Sequence, residues 1–172
     1  MFRYIFSLVF IVLVVGCTYI VKPQNEQNKL YNMLLSLDKN VSKIEAKRLS
    51  KEIVFFSRKL KQQYQPLIEP HFNNFLVNVG LKKQGLCYEW SDALYIHFVN
   101  QSYKDFRFHL IVSNKGEYWS EHNAFAITNS KDNISEGIII DLWRDIDGMY
   151  INYIIKDKSY QWSLRKNREC VI

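Results

Sequence analysis

The apolar spacing of this chain changes period once, at about Asn100, and that change limits its architecture more than any other feature. Before it, Leu30, Met33, Leu34 and Leu37, then Ile44, Leu49, Ile53, Phe56, Leu60 and Tyr64, recur at intervals that place one stripe of an α-helix against a core. After it come the β-branched and aromatic runs Phe106–Val112, Asn123–Thr128, Gly137–Leu142 and Met149–Ile155. Asn-Lys-Gly, Asn-Ser-Lys-Asp-Asn and Asp-Gly separate them, residues that turn a chain back on itself. Helices followed by strands joined in this way predict an α+β domain with an antiparallel sheet of four or more strands. With 172 residues, 48% of them apolar, and only 6 Gly and 3 Pro, one packed domain is expected and global disorder is excluded. The chain holds no internal repeat, Gly-rich phosphate loop or low-complexity segment.

Within the helical part, Ser42 stands three residues before Glu45. In that arrangement the hydroxyl accepts a helix amide and the carboxylate reaches back to the cap. The other face of this helix carries Lys43, Lys47, Arg48, Lys51, Lys59 and Lys61, a basic stripe read as solvated. Pro66 and Pro70 close the region, and Pro70 is suited to open a third helix through Val79 that stops at Gly80. From Cys87 to Val99 the chain has neither Gly nor Pro, and Trp90, Leu94, His97 and Phe98 share a helical face, which places Cys87 in that helix's first turn.

At the amino terminus one cation, Arg3, precedes an apolar run from Tyr4 to Val15 that ends at Gly16, the pattern of a secretory signal. Val14-Val15-Gly16-Cys17 resembles the lipobox of bacterial lipoprotein signals. The resemblance implies cleavage before Cys17, acylation of Cys17, and a domain tied to a membrane by that lipid. The expected division is a signal peptide over residues 1–16, the lipidated Cys and a polar tether over 17–28, and a single domain over 29–172. Thr18 rather than Asp after the Cys implies the outer membrane, facing the periplasm, in a Gram-negative host. A competing reading extends the apolar run through Thr18, Tyr19, Ile20 and Val21 into an uncleaved span of about 20 residues. Both readings put the domain outside the cytoplasm. The formal charge of +6 falls to +5 when residues 1–16 and their Arg3 are removed. Outside the cytoplasm this charge suits an anionic envelope surface, and nucleic acid is not expected as a partner.

Export also bears on the thiols. With Cys17 acylated, Cys87 and Cys170 remain in a compartment that permits a disulfide, and pairing would stop Cys87 from acting as a nucleophile. Left free, Cys87 at a helix amino terminus meets unpaired amides and a positive dipole that favour thiolate over thiol. A nucleophilic thiolate needs an imidazole to take and return a proton, and the imidazole needs a partner that holds its tautomer. His122 opens one predicted strand and Asp141 ends the next, so antiparallel pairing brings both to one end of the sheet. His71, His97 and His109 have no comparable context and are read as structural, as Trp90, Trp119, Trp143 and Trp162 are read as core or cleft lining. No spacing supports a zinc or haem site, and no cofactor is expected.

Gly85-Leu86-Cys87-Tyr88-Glu89-Trp90, Glu121-His122-Asn123-Ala124-Phe125 and Ile138-Ile139-Ile140-Asp141-Leu142-Trp143 together resemble the core of transglutaminase-like cysteine proteinases, over about residues 80–145. That superfamily has the papain-like fold, with Cys, His and Asp in this chain order on a helix start and two consecutive strands. The resemblance implies Cys87 as nucleophile, His122 as general base and then acid, and Asp141 as the residue orienting the imidazole. It places the oxyanion on the Cys87 backbone amide, with Gln84 as second donor, although Gln84 sits closer to the Cys than the oxyanion glutamine of papain-type enzymes. Asn123 is interposed before Ala124, so the aromatic Phe125 falls one place later than in the family pattern. The implied activity is a hydrolase or acyl transferase on an amide, in a peptide or a peptidoglycan stem. A non-catalytic lipoprotein scaffold or binding module that keeps the fold is the alternative.

Overall fold

The structure is a computed structural model that describes residues 23–67, 69–117, 119–129 and 133–168. Cys17 with its lipobox, and Cys170, lie outside the described residues. Helices α1 (Pro23–Ser36), α2 (Lys43–Tyr64), α3 (Pro70–Asn78) and α4 (Cys87–Val99) precede strands β1 (Phe106–Ser113), β2 (His122–Asn129), β3 (Ile138–Asp141), β4 (Tyr150–Tyr153) and β5 (Ser163–Leu164). The strands form one antiparallel sheet in the order β4-β3-β2-β1-β5, so the fold is α+β as the change of period implies.

Alternation along the strands divides the sheet into two faces. Phe125, Ile127, Ile138, Ile140 and Ile151 join the main core with Leu30, Leu34, Leu49, Ile53, Trp90, Leu94 and Phe98 from the helices. On the opposite face Ile111, Ala124, Ala126, Ile139 and Ile154 form a smaller cluster beneath Tyr150 and Trp162. The β1–β2 ladder runs from Phe106 opposite Asn129 to Ser113 opposite His122. His122 therefore sits at the end of the hairpin rather than within it.

Four local features depart from the sequence reading. Helix α1 starts at Pro23, inside the segment read as tether, because polar groups rather than apolar ones fix its first turns: Met149 N–H donates to the Glu26 carboxylate at 2.7 Å and Lys29 Nζ to the Ile151 carbonyl at 2.7 Å. Ser42 caps α2 by accepting from Glu45 N–H at 3.4 Å, but Glu45 does not reach back. Its carboxylate accepts instead from Lys104 and Asp105 N–H, while Ser42 N–H donates to Asp105 at 2.8 Å, so the helix start is pinned to the chain entering β1. Lys61 leaves the solvated stripe: its ammonium donates to the Asp145 and Ile146 carbonyls, and burial pulls its pKa down to about 8 against neighbouring carboxylates. Beyond β4 the chain leaves the expected extended run in a 3-10 turn, Ile154–Lys156.

Candidate active site

Gly85 and Trp90 fix the start of α4, and with it Cys87. The Gly85 carbonyl accepts from Asn73 Nδ2 at 2.9 Å and from Trp90 Nε1 at 3.1 Å, tying α3 and the first turn of α4 to one point. The residue has φ +130°, and a Cβ there would lie 2.3 Å from Asn73 Nδ2, so only glycine fits without strain. Glu89 accepts from the Gly85 and Leu86 N–H groups at 2.6 and 2.8 Å, satisfying amides that precede the helix. Cys87, the first helical residue, keeps an N–H for which the helix offers no carbonyl.

Cys87 is a free cysteine whose residue is 7% exposed. Its sulfur lies 4.0 Å from the Glu121 carbonyl and 3.8 Å from Asn123 Nδ2. His122, the first residue of β2, bonds through Nε2 to Asp141 Oδ2 at 2.6 Å, both groups being almost fully buried. Nε2 is committed to the carboxylate, and the Cys87 sulfur is near enough to act on the charge of the ring. Burial alone would pull the imidazole pKa down, yet the Asp141 carboxylate and the Cys87 sulfur outweigh it and hold His122 at about 9. That shift favours the protonated ring at neutral pH.

Asp141 is itself held on every side. Its Oδ1 accepts from Trp143 and Arg144 N–H at 3.0 and 3.2 Å, and Arg144 Nε donates to Oδ2 at 2.7 Å. Burial would raise the carboxyl pKa, but His122 and Arg144 bring it below the usual aspartate value. Arg144 also forms a two-pronged pair with Asp157, at 3.2 and 2.6 Å, and Asp157 accepts from Trp162 Nε1 at 2.9 Å. This chain of pairs draws the segment after β4 across the site, where Tyr160 and Trp162 lie 4.6 and 5.6 Å from the His122 ring and Trp143 lies 4.7 Å away on β3's exit. The indole and phenol faces keep water from the His122–Asp141 bond.

The structure thus brings Cys87, His122 and Asp141 together at one end of the sheet, as their places in the sequence imply. Gln84 precedes them in the loop, half-buried, with a side chain that makes no hydrogen bond among the described residues. The other histidines have structural surroundings: His97 pairs with Glu52 at 2.9 Å and stacks on Phe56, His109 bonds Thr128 at 2.9 Å, and His71 packs edge-on to Trp143. Sequence reasoning did not find Arg144, Asp157, Asn123 or Arg165. Arg144 follows Asp141 by three residues and carried a usable signal, a cation at the exit of the strand that bears the carboxylate. Asp157 and Arg165 reach the site only through tertiary structure.

Among the described residues no group of three or more His, Cys, Asp or Glu could hold a metal ion, and no helix is long and apolar enough to cross a membrane. Comparison with protein-family models, with curated proteins and with solved structures found no match for this chain.

Proposed function

We propose that this chain is an envelope-anchored lipoprotein whose domain is a papain-like cysteine hydrolase or acyl transferase acting on an amide bond. The observation that carries the reading is the buried 2.6 Å bond from His122 Nε2 to Asp141, with Cys87 among the groups that raise the pKa of the ring. The Cys87 thiolate would attack the amide carbon, forming a C–S bond as the carbonyl electrons move onto oxygen. Collapse of that intermediate expels the amine, which takes its proton from His122. A water, or an acceptor amine, then gives a proton to His122 and displaces the Cys87 thiolate from the thioester. Asp141 would hold the ring orientation and stabilise the imidazolium throughout, and Arg144 would keep Asp141 ionised.

A peptide or peptidoglycan stem is the substrate class that the envelope location favours, and a lipid on Cys17 would keep the domain beside it. The scaffold reading draws on one observation, the burial of Cys87 and His122, with Tyr160 and Trp162 packed against the His122 ring. Labelling separates the two. Purified protein treated with an iodoacetamide probe at pH 7 should be modified at Cys87 faster than free cysteine, and incubation with stem peptides should leave an acylated Cys87 detectable by peptide mass mapping. A Cys87 that resists the probe in folded protein while reacting after unfolding would identify the scaffold.

A further inference from the structure

We infer that Asn123 is a catalytic residue, supplying through its side-chain N–H the second oxyanion donor beside the Cys87 backbone amide. The inference rests on the cysteine-nucleophile reading and assigns a group to it. Successive strand residues face opposite sides of a sheet, so while His122 turns toward Asp141, Asn123 turns toward α4 and the nucleophile. Asn123 is 1% exposed, and its Nδ2 lies 3.8 Å from Cys87 Sγ.

The orientation of the amide is fixed by charge. Arg165 NH1 donates to Asn123 Oδ1 at 2.9 Å, and a guanidinium can only donate, so the carbonyl end must face Arg165 and the NH2 end must face the sulfur. Arg165 is held in turn by Asp92 and Ser91 on α4, so the amide is braced against the helix that carries Cys87. Nδ2 donates to Glu121 Oε1 at 3.2 Å and lies 3.8 Å from the sulfur. When the thiolate attacks a carbonyl carbon, the carbonyl oxygen becomes negative within bonding reach of this N–H and of the Cys87 N–H at the helix start. Two preorganised donors converging on the developing charge are the arrangement that stabilises such an intermediate. Gln84 offers no comparable bracing.

The test compares two reactions of Cys87. Acylation by p-nitrophenyl acetate builds charge on a carbonyl oxygen, whereas alkylation by iodoacetamide displaces iodide and builds none. Rates at Cys87, read by mass spectrometry of the peptide that carries it in wild type, Asn123→Ala and Asn123→Asp, give an acylation-to-alkylation ratio in which changes in thiolate content cancel. Asn123→Asp retains an acceptor for Arg165, and so the fold, while removing the donor. The expected result is a ratio lower by about 10²-fold in both variants. A ratio within about threefold of wild type, in variants whose Cys87 still reacts, would overturn the role of Asn123 and leave the nucleophile reading standing. A wild-type Cys87 that neither reagent modifies in the folded protein would overturn both.

Discussion

Arg144 carries more of the site than its partial exposure suggests. It donates to Asp141, pairs with Asp157 and lies over the Tyr150 ring at 3.6 Å, so removing its charge leaves the buried Asp157 without its counter-ion and Asp141 with His122 alone. Arg144→Met should cost about 3 kcal/mol, the range found when one member of a buried pair is deleted. That corresponds to a fall in Tm of about 6–12 °C for a chain of this size, measured by calorimetry. Asp141→Asn has a different signature: the fold survives while the Cys87 alkylation rate falls, because the imidazolium loses its counter-charge. Cys87, His122 and Asp141 were legible in the sequence because each sits at the terminus of an element marked by its apolar pattern. Asn123 was legible only as an interruption, since its role depends on Arg165 approaching from a part of the chain with no periodic signal.

At the scale of elements, the four helices and the four longer strands among the described residues follow from apolar periodicity and turn residues, and β5 does not. Two residues have no period, and Ser163–Leu164 exists because β1 offers a free edge opposite Ile111 and Val112. The basic stripe misplaced Lys61 for a related reason: its charge is visible in sequence, whereas the carbonyls it caps belong to a loop more than eighty residues away. The loop before α4 depends on Gly85, where a side chain must meet both an unfavourable φ and Asn73. Gly85→Ala should therefore destabilise the protein by about 2–3 kcal/mol in urea denaturation, as strained backbone and overpacking do. It should also slow Cys87 alkylation, since α4 loses the anchor that presents its first residue. Equal stability and reactivity in the alanine variant would show that the loop does not position the thiol.

For the molecule as a whole, the electrostatics of one buried pair set a pH dependence. His122 rises from an ordinary value near 6.5 to about 9 on folding, so the stability it contributes is complete below about pH 6.5 and is lost as pH climbs through 9. Asp141 is depressed, so its contribution is present above the ordinary aspartate range and is lost as pH falls through its folded value. Thermal unfolding from pH 5 to 10 should show wild type losing its advantage over His122→Ala between about pH 6.5 and 9; a constant difference would mean that the imidazole is not charged in the folded protein.

The same titration decides whether the imidazolium serves the nucleophile. The most direct measurement is the rate of Cys87 alkylation by iodoacetamide from pH 5.5 to 10 in wild type and His122→Ala, with folding of both verified. Wild type should react more than tenfold faster than the variant below about pH 8, and the two rates should converge as His122 loses its proton near pH 9. A ratio close to one across the whole range would contradict a Cys87–His122 ion pair and leave the domain a scaffold.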